Sequence, residues 1–351
     1  MSETAQRSAE PLAGPGSGPG QGSGFGSKIG RVGSIFLRQR EASVFIVAVV
    51  LVLYFGVISS ASGNFFSKLN LQNISYSTAP FAIIAAGEVL LLICGEIDLS
   101  VGYVWTLSPF LMYFFTAYYG FPVFLAIVAA LVCGAIIGLI NGLLVVGLKV
   151  PSFIATLGTA FIIFGFTLTT SAAQQKTLPP NTLGVGKFFG GYAWAEIIWA
   201  VVVAVILHVV LTRTRWGLHT VAVGGNLLGA SEAGIKTSRI KLGNFMITGV
   251  LGALAGILET FRVGTIDPSA GGFTPMFYAV AAAVIGGTAL AGGSGTVAGA
   301  FVGMLVLAIL QDGFSLLGIS ANPFLIILGI AIVAAMVANV YLTRLRRAGE
   351  S

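Results

Sequence analysis

Two carboxylates and a serine stand between two long apolar runs in the stretch CGEIDLSVGY, residues 94–103. An isolated charge removed from water is costly, so acids at such a place must be hydrogen-bonded, paired or wetted. Three uses fit Glu96, Asp98 and Ser100. Asp98, with Ser100 sharing the role, can cap the following helix by accepting its first free N–H groups. The same groups can line a gate, or they can contact a partner on the inner face. The spelling returns as GTIDPSAG at residues 264–271, where Asp267 and Ser269 are kept and Thr265 replaces Glu96. There Asp267-Pro268 reads as a turn that starts a helix.

Two further acids, Glu88 and Glu259, lie within or near the ends of apolar segments, one ahead of each motif copy. Each must pair, protonate or face water. Asn141, between Gly138 and Gly142, reads as an interhelical hydrogen bond before it reads as a substrate contact. The candidate gate or pathway set is therefore Glu88, Glu96, Asp98, Ser100, Asn141, Glu259, Asp267 and Ser269. Enzyme patterns are missing. GVGKFFGG (184–191) lacks the spacing and the hydroxyl residue of a phosphate-binding loop, and no H-E-x-x-H occurs. His208 reads as a polar helix contact and His219 as a loop residue, not as a metal pair. Cys94 and Cys133 read as small buried hydrophobes.

The elements that must position these groups follow from composition. The 351 residues are 56% hydrophobic and 9% charged, where a soluble domain carries about 25% charged residues. This is the make-up of an all-α integral membrane protein. Residues 1–42, with PLAGPGSGPGQGSGFGSK, are expected to form a disordered cytoplasmic tail. Apolar segments long enough for a bilayer core of about 30 Å are expected at 43–62, 73–95, 101–119, 121–148, 151–172, 194–212, 243–262, 276–292, 295–313 and 321–342, ten in all. The breaks after the second and eighth leave room for half-helices or re-entrant turns.

An even number of spans makes a charge test, because Lys and Arg crowd cytoplasmic loops. With the N-terminus inside, the inner pieces hold Arg7, Lys28, Arg31, Arg38, Arg40, Lys149, Arg213, Arg215, Lys236, Arg239, Lys241, Arg344, Arg346 and Arg347. Only Lys68, Lys176, Lys187 and Arg262 remain outside, so fourteen of the 18 basic residues favour an N-in, C-in arrangement. The net charge of +6 is thus loop bias and not a nucleic-acid signal. Trp216 beside Arg213 and Arg215, and Tyr118, Tyr119 and Phe121, read as interface anchors.

The doubled motif implies a repeat. Gly95–Gly102 matches Gly264–Gly271 at a spacing of 169 residues, and GAIIGLINGLLV (134–145) matches GTVAGAFVGMLV (295–306) at 161. Five segments separate the copies. An odd shift inverts orientation, which makes two five-helix halves of opposite topology, a transporter signature. Gly134, Gly138 and Gly142, and their matches Gly295, Gly299 and Gly303, are expected to bring helix backbones close in lipid. Two loops stand out. The outer one, 173–193, can receive a partner. The inner one, 213–242, holds a short helix near 226–236 between Gly224-Gly225 and the basic run Lys236, Arg239, Lys241, as a docking element would.

The stretches GEIDLSVG (95–102), NGLLVVGLKVPSFIATLGT (141–159), AVGGNLLGASEAGI (222–235) and AAAVIGGTALAGGSGTVAGAFVGMLVL (281–307) resemble the permease subunit of ribose-type ABC sugar importers. The likeness covers 43–342, leaving the first tail and a basic cytoplasmic tail, 343–351, outside it. It implies a bacterial inner-membrane, multi-pass subunit that moves a ribose-like or other monosaccharide by alternating access. It also implies a cytoplasmic ABC ATPase that binds ATP and Mg, an extracellular sugar-binding protein, and a second permease copy, with no cofactor in this chain. By the resemblance, the ATPase docks on Gly224, Gly225, Asn226, Ala230, Gly234 and Ile235. Where the family carries Pro and then Arg in this segment, the chain has Leu227 and Ser231. Specificity would lie mainly in the binding protein, and no aromatic platform beside paired acids stands out as a sugar site. The alternatives are an ion-coupled secondary transporter using Glu88, Asp98 and Glu259, and an ABC importer of another small polar solute.

Overall fold

The computed structural model describes residues 40–319, apart from Ser59 and Ala61, and separate helical residues between 325 and 337. The first helix, α1 (Arg40–Leu53), runs into a π-helical turn at Tyr54–Ile58. It is followed by α2 (Lys68–Ile93), α3 (Val101–Ala117), α4 (Val123–Val146), α5 (Ser152–Ser171) and α6 (Ala195–Arg213). Two short helices, α7 (Arg215–Gly225) and α8 (Leu227–Glu232), lead into α9 (Thr237–Val263), α10 (Phe273–Ile285) and α11 (Val297–Leu316). Two-residue strands β1 (Lys176–Thr177) and β2 (Thr265–Ile266) pair antiparallel, with Lys176 opposite Ile266.

Nine of the ten expected segments coincide with α1–α6 and α9–α11. The tenth, 321–342, lies outside the described residues except for separate helical positions at 325–337, as do residues 1–39 and 343–351. Two boundaries move for physical reasons. The helix α9 starts at Thr237, six residues before the expected 243, which brings Lys241 onto the helix. The helix α10 stops at Ile285 and not at 292, because Gly287, Gly292 and Gly293 adopt left-handed backbone that ends the helix.

Length sorts the helices. Six of them, α2, α4, α5, α6, α9 and α11, are long and apolar enough to cross a membrane. At 1.5 Å per residue the 17 residues of α3 reach about 26 Å. The 13 residues of α10 reach about 20 Å, so both fall short of the hydrocarbon core. Burial sorts the six again. In α2, 83% of the apolar span is buried, and in α9 61%, whereas α4, α5 and α6 have 33%. A helix apolar all round belongs inside the protein, and α2 is that helix. On α4, Phe124, Val128, Val132, Ile136 and Ile140 recur every four residues and are exposed, a stripe suited to lipid.

Small residues set the closest packing. Gly134 and Gly138 on α4 lie against the Gly249 and Phe245 carbonyls of α9, and Gly142 lies against Leu242. The matching row behaves differently. Gly299 and Gly303 lie against Gly286 and Ala282 around the end of α10, while Gly295 meets Thr288 and Ile93. Both rows allow close approach, but to different partners. The starts of α3 and α10 also touch. The Gly272 N–H donates to the Gly102 carbonyl at 3.2 Å, and a Cβ on Gly102 would fall 1.9 Å from the Gly272 oxygen.

The contacts divide the loops into two ends. At the basic end, Lys241 pairs with Glu96, the Ile97 N–H donates to Ser152 Oγ, and the Gly293 N–H donates to the Ile93 carbonyl. At the opposite end, the β1–β2 pair ties the 173–193 loop to the second motif copy, and Phe189 stacks on Phe261.

Candidate functional site

The first motif copy forms a buried polar cluster at the basic end. Gly95, at φ +75°, turns the chain out of α2. The Glu96 carboxylate then meets Lys241 Nζ of α9, and both side chains are largely buried, at 11% and 16% exposure. Asp98 is fully buried. Its Oδ1 accepts the Ser100 N–H at 2.8 Å and the Ser100 hydroxyl at 2.6 Å. From α4, Asn141 Nδ2 reaches Asp98 at 3.2 Å and Ser100 Oγ at 2.8 Å. From α5, Thr156 Oγ1 accepts the Leu99 N–H at 3.0 Å. Glu88 of α2, fully buried, has one oxygen 3.5 Å from the Asp98 N–H and the other without a partner.

This corrects the capping expectation. The N-cap of α3 is Ser100, in helical backbone and with no side-chain cap bond. Asp98 closes a turn one step earlier and anchors the loop to α4. Asn141 makes its hydrogen bonds to the turn between α2 and α3 rather than to another helix. Lys241, read as part of the basic run beside the docking element, is bound to Glu96, while Lys236 and Arg239 are exposed.

The hairpin of the 213–242 loop is built on caps. Thr214 accepts the Gly217 N–H at the start of α7, and Asn226 accepts the Gly229 N–H at 2.9 Å at the start of α8. The short helix therefore runs 227–232 rather than 226–236, and Gly234, at φ +81°, turns the chain toward Ile235. Gly224 sits on the end of α2, where a Cβ would lie 1.5 Å from the Ile93 carbonyl oxygen. Ala230 is buried, Gly225 has open space beside it, and Leu227 and Leu228 are exposed. Trp216 is more than an interface anchor, since its indole N–H donates to Asn244 Oδ1 on α9 at 2.8 Å. The Asn244 amide donates onward to the Leu90 carbonyl of α2 and to Thr220 of α7, each at 3.3 Å.

At the opposite end two cavities adjoin, of about 360 and 260 Å³. Trp105 of α3 and Glu259 of α9 line both. Arg262 is paired with Glu259, lies 3.2 Å from Glu196 of α6, and sits 4.6 Å over the ring of Tyr76. Asp267 lines the smaller cavity and is exposed, with Ser269 bonded to it. The structure thus places aromatic rings beside paired acids, where the sequence showed no such platform. Glu88 and Glu259 do not correspond. They stand 171 residues apart against 169 for the motif, and two residues are about 200° of helix rotation. The pathway candidates consequently fall into two groups: Glu88, Glu96, Asp98, Ser100 and Asn141 together at the basic end, and Glu259 with Asp267 and Ser269 at the other. Glu196, Trp105 and Asn244 were missed, as was the pairing of Lys241 with Glu96. The one signal for Glu196 was Arg262, the lone arginine among the four outer cations, which needs a carboxylate.

Comparisons with known proteins now decide the family. The model described as branched-chain amino acid transport system / permease component matches residues 70–336. The xylose/arabinose import permease of Sulfolobus acidocaldarius is 37% identical over 317 residues, covering 88% of this chain and 87% of that protein. The chain belongs to the ribose-type family of ABC sugar-importer permeases. The fructose import permease of Rhizobium meliloti is 33% identical, with 88% of each chain covered. The ribose import permease of Bacillus subtilis is 36% identical, covering 81% of this permease and 88% of the relative. No solved structure matches the chain. As a member of the family this permease is a multi-pass protein of the plasma membrane.

Proposed function

We propose that this permease carries a monosaccharide, a ribose-like sugar or another, into the cytoplasm by alternating access. The single observation that carries the substrate class is that relatives at 33–37% identity, matched over most of their length, are import permeases for pentoses and fructose. ATP hydrolysis, with its Mg, belongs to a separate cytoplasmic ATPase docked on α7 and α8. What supports that reading is the exposed pair Leu227 and Leu228 on a hairpin fixed to α2 and α9 through Asn244. An extracellular binding protein would deliver the sugar at the opposite end, near 173–193. A second permease copy completes the pathway.

Ten spans, with both termini inside, arranged as an inverted repeat, remain the architecture of this reading. In its favour, 169 added to the start of α2 gives 237, where α9 begins. The same shift carries the end of α4 from 146 to 315, one residue short of the end of α11. The starts of α4 and α11, at 123 and 297, stand 174 residues apart, so the spacing varies along the repeat. Packing follows the same logic, since α9 lies against α3 and α4 as α2 lies against α10 and α11. The residue pair nearest to a self-contact of the repeat is Gly102 with Gly271.

The test is a purification from native membranes in mild detergent, assayed for ATP hydrolysis, beside uptake of labelled D-ribose, D-xylose, D-fructose and L-leucine. Leucine is included because the family description names branched-chain amino acids. An ATPase that copurifies, is lost when residues 224–241 become a Gly/Ser linker, and accompanies sugar uptake is the expected result. Leucine uptake with no sugar uptake would replace the substrate class. A folded permease with no ATPase would point instead to gradient-driven transport.

A further inference from the structure

The paired cavities at the non-basic end hold more than structure requires. Trp105 is 9% exposed, yet its indole N–H has no hydrogen-bond partner, and neither has the Thr106 hydroxyl beside it, which is 4% exposed. Buried donors are normally satisfied, and an unmet one calls for an explanation such as a ligand. Trp105 lines both cavities and Thr106 lines the smaller one. Across from them stands Glu259, an acceptor with 20% side-chain exposure. Asn73 and Gln175 add neutral amides to the walls. An aromatic face with a few convergent polar groups is the usual make-up of a small-molecule site.

The electrostatics narrow the ligand. Among the described residues Arg262 is the only cation on these walls, and it is engaged by Glu259, Glu196 and the Tyr76 ring. Two carboxylates share that one guanidinium, and Asp267 adds a third acid nearby. A solute carrying its own carboxylate finds no free positive group and several negative ones. A neutral polyol fits both halves of the pattern. Its hydroxyls accept from Trp105 and Thr106 and donate to Glu259, while its C–H face lies on the indole ring.

We propose that these cavities form a subsite for a neutral sugar within the permease itself, holding it between delivery and translocation, with Trp105 and Thr106 as donors and Glu259 as acceptor. This rests on the sugar-import reading and deepens it, because it places part of the recognition in this chain rather than wholly in a binding protein.

The experiment uses the full chain with its ATPase and binding protein, in cells lacking other sugar importers, and follows labelled D-xylose, D-ribose and D-fructose. Trp105→Phe keeps the ring and removes the donor; Thr106→Val removes the second donor at nearly constant volume. Each is expected to slow uptake of the transported sugar at least tenfold, with wild-type membrane yield and ATPase copurification. Direct occupancy is read by Ala270→Cys, an exposed wall position, in a background with Cys94 and Cys133 replaced by Ser. The sugar, but not L-leucine, should protect this thiol from a polar maleimide, and Trp105→Phe should abolish the protection. Wild-type uptake by both donor variants, with labelling indifferent to sugar, would overturn the proposal while leaving sugar import standing. Uptake of leucine and none of the three sugars would remove the reading beneath it and overturn both.

Discussion

The two copies of G-x-I-D-x-S-x-G fold alike and are used differently. In each, the Asp Oδ1 accepts the N–H of the Ser two residues on at 2.8 Å and its hydroxyl at 2.6 Å. The turn is thus a property of eight residues, independent of where they sit. The surroundings are not shared. Asp98 and Ser100 are fully buried and bonded by Asn141, while Asp267 and Ser269 are exposed beside a cavity. Local chemistry fixes the shape of the turn, and the neighbours decide whether its acid anchors a loop or lines an open cavity.

Four tests bear on that contrast. The largest effect is expected where the copies approach, because a side chain on Gly102 meets backbone and not a movable group. Gly102→Val should cost at least about 3 kcal/mol, beyond ordinary overpacking, and show as loss of most folded permease in a detergent thermal-unfolding assay. Next, Asp98→Ala strands the Ser100 and Asn141 groups. It should cost about 2–3 kcal/mol, with Asp98→Asn milder, in the same assay; an Asp98→Ala protein as stable as wild type would show that the network is not what holds the loop. The Glu96–Lys241 pair should give a coupling of about 1–2 kcal/mol in a double-mutant cycle, and strict additivity of the single substitutions would remove it from the account. Smallest is Asp267→Ala, whose change should stay within about 0.5 kcal/mol of stability. A loss matching that of Asp98→Ala would erase the contrast.

Much of this was readable from residue order alone. The apolar runs announced the helices because a bilayer demands about 20 apolar residues per span. The doubled motif pointed to its own repeated turn. What stayed hidden depends on pairs brought together by packing. Glu96 finds Lys241 145 residues away, and Asn141 finds Asp98 43 residues away. Trp216 looked like an interface anchor because nothing near it in sequence reveals Asn244. The glycine rows match at 161 residues and the motif at 169, a difference of about two helical turns, so glycine spacing alone does not fix a register.

The bridge at Asn244 has a mechanical consequence. It receives the Trp216 N–H and gives its own amide hydrogens to α2 and α7, so the hairpin and the two central helices share one stiff joint. Load carried by α7 at Trp216 and Thr220 would pass through this one amide to both α2 and α9. The starts of α3 and α10, whose backbones touch at Gly102 and Gly272, lie outside this joint. The contact of Gly102 with Gly272 is a second joint, made of backbone alone with no side chain between the two helix ends.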